Sequence, residues 1–477
     1  MSQLKPNCLN YPELLAQAVA LISPTMTAAL IIPVMFATTG NWSWFSYALG
    51  TLMLLFVAFN LNQFARRSTM SGSMYAYICR GLGLKAGAVG GWALIWAYLG
   101  IAIAGVTGFT IFAGKLLAMG GITAPPILLF AVCVGIGWYC AYKNVALSAM
   151  LMLVLEGLSM TLIGILCFIT LFQHHLVLDT AQFDTHTLPW SSVGLGVVVA
   201  IFSLVGFECA TAFGDEAKNP LKSIPRAVNA SLIISGIFFM FVTYVMVQAT
   251  HGYATTLDKL DAPLNTMAQL ARVPSLQIPL SLGAMVSFFA LCLSCLNAGA
   301  RVIYAMGRHG IFHASTAQSH PQNKTPHVAV RLMALVAFAV PTICTLRHVA
   351  TLDLFGDVGT CAAFGFVVAY LLITVAAPMY LKNLGELRSK DLIGCVLSVA
   401  LLIVPAVGSV YPVPAAPVKY FPYAFLAYLA IGVVWVLAFY RRKPAASTAI
   451  RGDLELAHRR FEPALGDDGM TPGPVAN

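Results

Sequence analysis

Apolar runs of about 20 residues follow one another along most of this chain, each long enough to cross a hydrocarbon core of roughly 30 Å as a helix. Lipid offers no partner to an unpaired backbone amide or carbonyl, so a spanning segment is either a helix or a strand of a closed barrel. Barrel strands alternate apolar and polar residues over about ten positions, whereas these runs are apolar on every face. Helices are therefore expected. Composition agrees, with 59% hydrophobic residues and 9% charged, where an ordinary soluble domain carries about a quarter charged.

The runs place helices at 14–38, 44–65, 87–116, 124–142, 145–173, 191–213, 227–250, 278–306, 328–346, 356–381, 392–411 and 420–440. The expected fold is an all-α integral membrane protein with 12 transmembrane helices. Pro12 suits a first helical turn and Glu13 favours the positive end of a helix, which marks the start of the first span. Met1 to Tyr11 carries no basic n-region, short h-region or small-residue cleavage site, so no removable signal is expected there, and residues 1–13 read as a cytoplasmic N-terminus. The polar stretch 441–477 reads as a disordered cytoplasmic tail.

Cytoplasmic loops retain Lys and Arg, and translocated loops lose them. All but five of the 27 basic residues fall on one side of the expected helices; Lys115, Lys259, Arg272, Arg347 and Lys419 are the exceptions. Both termini are then cytoplasmic, and the chain is expected to be a multi-pass protein of the plasma membrane (the inner membrane of a bacterium). Positive loops beside anionic lipid also account for the net charge of +9, so no nucleic-acid partner is needed.

Two spans look interrupted. In the first, Ser23-Pro24-Thr25-Met26-Thr27 places a proline mid-run, removing a donor and clashing with the preceding turn, and Pro33 repeats the disturbance. In the sixth, Gly206 stands beside Glu208 deep in an apolar run. That carboxylate is costly there unless paired or neutralised. Interrupted helices five spans apart suggest a 5+5 inverted repeat, with 14–173 and 191–381 forming a ten-helix transport core and 392–440 adding two extra helices. Such repeats put a binding site near the membrane midplane. The plainer alternative is that Pro24 and Gly206 only bend their helices.

Phe202-Ser203-Leu204-Val205-Gly206-Phe207-Glu208, then Asp215-Glu216-Ala217-Lys218-Asn219-Pro220 and Ile224-Pro225, resembles the sixth-segment signature of the amino acid, polyamine and organocation transporter (APC) superfamily. Arg301 to Gly310 is similar to that family's eighth-segment exit, and Thr325-Pro326 to the start of its ninth. The resemblance implies a secondary transporter of amino acids working by alternating access, coupled to protons or running by exchange. One stretch departs. Many members have a glycine-rich first break, whereas Pro24-Thr25-Met26-Thr27 looks more like the break of putrescine-importer-like members, which leaves a polyamine carrier as the alternative.

The same resemblance assigns the substrate's carboxylate to the backbone around Ser23, Thr25, Met26 and Thr27, and its ammonium to carbonyls near Phe202, Ser203, Val205 and Gly206. Free amides favour an anion, and exposed carbonyls accept an ammonium. Glu208 and Glu156 are the two carboxylates deep inside spans and become candidates for coupling or gating. Holding the sixth-segment break together is the other role open to Glu208. Tyr98 and Phe202 are candidate gating aromatics, with ordinary packing as the alternative. Ser287 and Ser294 are hydroxyls a sodium site would use. No metal or cofactor is expected: His174, His175 and Asp179 lie in a loop, Cys292 and Cys295 sit mid-run, and the glycine pairs Gly81/Gly83 and Gly135/Gly137 lack the rest of a nucleotide fingerprint. The partners expected are a small-molecule substrate, the bilayer and a proton or sodium ion. A membrane-embedded enzyme would require a His, Cys or acidic cluster that these residues do not form, and a channel is the remaining alternative, against which the pair of broken helices and the permease-like signature favour alternating access.

Overall fold

The computed structural model describes residues 4–184, 186, 190–260, 262–408, 410–411, 416–442 and 445–459. Among them the chain is helical, with no strand beyond two isolated bridges. The helices are α1 (Tyr11–Ile22), α2 (Pro24–Met26), α3 (Ile32–Thr39), α4 (Ser43–Ala65), α5 (Met74–Leu82) and α6 (Leu84–Met119). After these come α7 (Pro126–Lys143), α8 (Val145–Gln173), α9 (Trp190–Leu204), α10 (Pro220–Thr250), α11 (Pro263–Leu270) and α12 (Gln277–Arg308). The series ends with α13 (His327–Leu346), α14 (Thr351–Asn383), α15 (Ser389–Gly408), α16 (Phe421–Arg442) and α17 (Ala445–Arg459).

Among the described residues eleven stretches are long and apolar enough to cross a membrane, and the first, Tyr11–Ala65, contains both α1–α3 and α4, joined by a short turn at Gly40–Trp42. Within the stretch read as a disordered tail, 445–459 is helical; residues 460–477 lie outside the described residues. α17 docks by Ile450 and Leu454, which are buried.

α6 runs through the middle of the bundle, packed on α12 and α14. Small residues permit this approach: a Cβ at Gly105 would lie 2.9 Å from the amide nitrogen of Cys292. The periphery is formed by α15 and α16, whose Ile393, Val396, Ile431 and Val434 are exposed and apolar. This is the surface a bilayer would cover.

Both interruptions are present. Ser23 ends α1 in the left-handed region, φ 50°, and its amide still donates to the Val19 carbonyl at 2.9 Å. Pro24 then opens a new helix at the position where a missing amide costs nothing. A π-helical turn over Thr27–Ile31 follows before α3. In the sixth segment α9 stops at Leu204, Gly206 turns at φ 100°, and the chain continues as a 3-10 helix over Phe207–Ala212. A Cβ at Gly206 would fall 1.9 Å from Cδ2 of Leu21, so the second break packs directly on the helix leading to the first. Only glycine meets both demands, the positive φ and the contact.

Candidate substrate and coupling site

Glu156, 2% exposed, sits on α8 beside the first break. Its Oε1 accepts from the Thr25 amide and the Thr25 hydroxyl, each at 3.4 Å, and its Oε2 accepts from the Ser287 hydroxyl of α12 at 2.6 Å. Around it, Thr25 Oγ1 lies 2.7 Å from Ser159 Oγ and Ser23 Oγ lies 3.1 Å from Ser287 Oγ. Since Pro24 has no N–H, Thr25 supplies the first free amide of the half-helix beginning there. The carboxylate thus caps a positive helix end, a placement favoured by the helix dipole.

Glu208 has a different environment. Its Oε2 accepts from the Gly206 amide at 3.1 Å and from the Tyr370 hydroxyl of α14 at 2.7 Å, and its Oε1 accepts from the Tyr98 hydroxyl of α6 at 3.0 Å. Three donors from three parts of the bundle converge on one fully buried carboxylate. Ser73 Oγ lies 3.5 Å from the Tyr98 hydroxyl and 3.0 Å from Thr211 Oγ1. Tyr370 was not among the residues singled out from sequence, because nothing local distinguishes it from other aromatics in apolar runs.

A cavity of about 980 Å³ lies between the stretch Ala29–Val34, α9 and α14. Its walls are apolar, with Ile31, Phe202, Val205, Phe355 and Val367 among them. The charged residues bordering it are Lys115, Asp258 and Lys259, from the α6 terminus and the loop before α11. They belong to the end opposite most of the basic residues. The cavity reaches the second break at Val205, but neither Glu156 nor Glu208 borders it.

The residues singled out from sequence therefore divide. Phe202 and Val205 face the cavity, and Phe202 packs on Gly359, where a Cβ would be 2.6 Å from its ring. Ser203 points its hydroxyl back to the Val199 carbonyl at 3.0 Å and lies 3.3 Å from the Tyr47 hydroxyl. Ser23 and Thr25 turn their hydroxyls into the Glu156 cluster. Met26 is buried, and the Thr27 hydroxyl is buried without a hydrogen-bond partner. Tyr98 holds Glu208 and does not border the cavity. Ser287 joins Glu156, while Ser294, two turns on, donates to the Gln17 carbonyl at 2.7 Å, so these two hydroxyls serve different places. Among the described residues no group of three His, Cys, Asp or Glu side chains could hold a metal.

The sequence profile described as amino acid permease matches residues 13–446. The chain is 25% identical to the branched-chain amino acid permease BcaP of Bacillus subtilis (strain 168), covering 73% of this chain and 76% of that protein. It is 28% identical to the BcaP of Lactococcus lactis subsp. cremoris (strain MG1363), over 68% and 72%. The low-affinity putrescine importer PlaP of Escherichia coli (strain K12) is 23% identical over 68% and 71%.

Proposed function

The chain belongs to the amino acid permease family of the APC superfamily, and from that premise we propose that it carries neutral amino acids with apolar side chains across the plasma membrane, by alternating access and coupled to protons. It is a membrane transporter of amino acids or amines and not an enzyme. The proposed architecture has twelve crossings, as a 5+5 inverted repeat plus two, with both termini cytoplasmic; the lopsided basic loops support the orientation.

The observation that favours an amino acid over a diamine is the state of the two deep carboxylates. A second ammonium on the substrate needs an acceptor of its own in the dry site. Glu208 is already filled by three donors and Glu156 by the Thr25 and Ser287 groups. The walls near Val205 instead suit an aliphatic side chain, in keeping with the branched-chain permeases among the relatives. The substrate carboxylate would meet the positive half-helix end around Ser23, Thr25, Met26 and Thr27. Its ammonium would meet carbonyls of Phe202, Ser203 and Val205 where α9 ends before Gly206. Phe202 would close over the bound molecule.

Glu156 is the proposed coupling group. A proton on it removes a negative charge from the half-helix end on which a substrate carboxylate also depends, so proton and substrate binding favour each other. Glu208, with Tyr98 and Tyr370, holds the second break and closes the path toward the basic end.

The putrescine importer among the relatives keeps the amine reading as the alternative. Competition binding separates the two. Leucine should displace a bound ligand at least tenfold better than leucine methyl ester, because amides deprived of their anion lose a charge-assisted bond of about 1.5–3 kcal/mol. Ornithine and putrescine form the second pair, and a clear preference for putrescine overturns the amino acid assignment.

A further inference from the structure

Beyond the two breaks, the end of the bundle that carries the basic residues is closed by a second charged layer. Glu216, fully buried, and Arg301, 1% exposed, form a two-pronged ion pair: Arg301 Nε donates to Oε2 and Nη2 donates to Oε1 at 2.8 Å. Nη1 of Arg301 donates to the Asn297 carbonyl at 2.8 Å, and the guanidinium lies 4.3 Å from the centre of the Phe213 ring. The Glu216 main chain is pinned too. Its carbonyl accepts from the amides of Cys8 at 2.8 Å and Leu9 at 3.0 Å, and the Lys218 amide donates to Leu9 at 2.7 Å.

One residue therefore ties together the strand-like lead into α1, the loop after the sixth segment and α12. The open cavity lies on the other side of the breaks. A molecule bound at the breaks can leave through this end only if these three parts separate.

We propose that Arg301–Glu216 is a reversible lock on this end, and that its separation is a step of every release into the cytoplasm. The choice of charges fits a contact that must part. A buried pair of this kind is often no more stabilising than well-packed apolar residues of the same size. Once the end opens, however, both ions are hydrated, whereas an apolar pair in the same place would expose its whole surface to water at a cost proportional to that area. An ion pair is thus comparable when shut and far cheaper when open. The inference rests on the permease reading only in requiring that this end opens.

Cys209 offers a native reporter, fully buried between Gly206 and Glu216. Full-length protein in proteoliposomes would be treated with a membrane-impermeant maleimide on the face bearing the basic loops, and modification of Cys209 followed by peptide mass spectrometry. Replacing the pair by Glu216→Leu with Arg301→Met should leave thermal stability unchanged or raised and slow Cys209 labelling at least tenfold. Arg301→Lys keeps the charge but loses the planar fork, and labelling should quicken severalfold. Uptake of radiolabelled leucine is measured alongside and should fall at least tenfold in the double variant. Labelling at the wild-type rate in the folded double variant, or no acceleration in Arg301→Lys, overturns the lock. If wild-type protein takes up no leucine while Cys209 labelling responds as described, the substrate assignment fails and the lock stands.

Discussion

Glu156→Gln tests the coupling proposal directly, because the amide mimics a carboxyl that has permanently taken its proton. The substitution is compatible with the site. The side-chain oxygen can still accept from the Thr25 amide, while the new NH₂ can donate to Ser287 Oγ, a hydroxyl able to accept as well as donate. Folding should cost only the difference between charged and neutral hydrogen bonds, about 1 kcal/mol. The larger effect is electrostatic. Two unit charges roughly 8 Å apart at an effective dielectric constant of about 20 interact by about 2 kcal/mol, so removing the Glu156 charge should tighten substrate carboxylate binding by about 30-fold. In the variant, affinity should no longer depend on pH. Proteoliposomes with an inward proton gradient should then fail to concentrate leucine, while leucine–leucine exchange persists. Gradient-driven accumulation at the wild-type level, with wild-type pH dependence of affinity, would refute the reasoning and return Glu156 to a cap of the half-helix.

Tyr370→Phe removes one charge-assisted bond to Glu208 and a further contact, 3.3 Å, with the Gly206 amide. It should lower thermal stability by about 1.5–3 kcal/mol and slow transport more than Tyr98→Phe, which leaves both Gly206 contacts in place; equal effects in a melting and uptake comparison would argue against the Gly206 hinge. A cysteine placed at the exposed Thr255 should react with an impermeant thiol reagent from outside intact cells, and reaction only from the cytoplasmic side would invert the topology. At α17, burial pushes the Asp453 carboxyl up, but the His309 hydrogen bond and the Arg308 and His309 charges outweigh it, leaving the group below its ordinary value of 3.8. A depressed carboxyl stabilises docking fully above that ordinary value, and the contribution is lost as pH falls through the lower folded value. Hydrogen exchange of 445–459 should therefore stay protected at neutral pH and rise under acid. In Asp453→Asn, which loses the charge facing Arg308 at 2.7 Å, it should rise already at neutral pH.

The two breaks were legible in sequence because each has a local cause: a proline without a donor, and a glycine free to adopt φ of 100°. Partnerships across the bundle were not. Glu156 meets Thr25 from 131 positions away and Glu208 meets Tyr370 from 162, and runs that are apolar on every face carry no signal of which face meets which neighbour. Ser203 illustrates the limit at short range. Its hydroxyl bonds the carbonyl one turn back, an option open to any serine in a helix, so its presence beside the break said nothing about its direction. The helix at 445–459 was hidden for another reason. Its sequence is mostly polar, and its attachment rests on Ile450 and Leu454, on Asp453 held by Arg308, and on Arg80 donating to the Leu454 carbonyl.

These contacts order the proposed transport cycle. The basic end is shut by two layers of different chemistry: Glu208 holding neutral hydroxyls and a backbone amide, and Glu216 holding a guanidinium. The inner layer is anchored to Gly206, where the ammonium would sit, so substrate arrival acts on it directly. The outer layer touches no part of the cavity and can respond only through the chain between 208 and 216 and through α1. Leu21 presses on Gly206 and Leu9 is paired with the 216–218 loop, which makes α1 the element common to both layers. A proton on Glu156 loosens the hold on Thr25 in α2, just past the break that ends α1. A rigid-body tilt of α1 would then part both layers together, and so a disulfide fixing Leu9 to Ala217, neighbours in the bridge, should abolish uptake while leaving leucine binding from the outer side intact. Unimpaired uptake by the cross-linked protein would show that the layers open without α1.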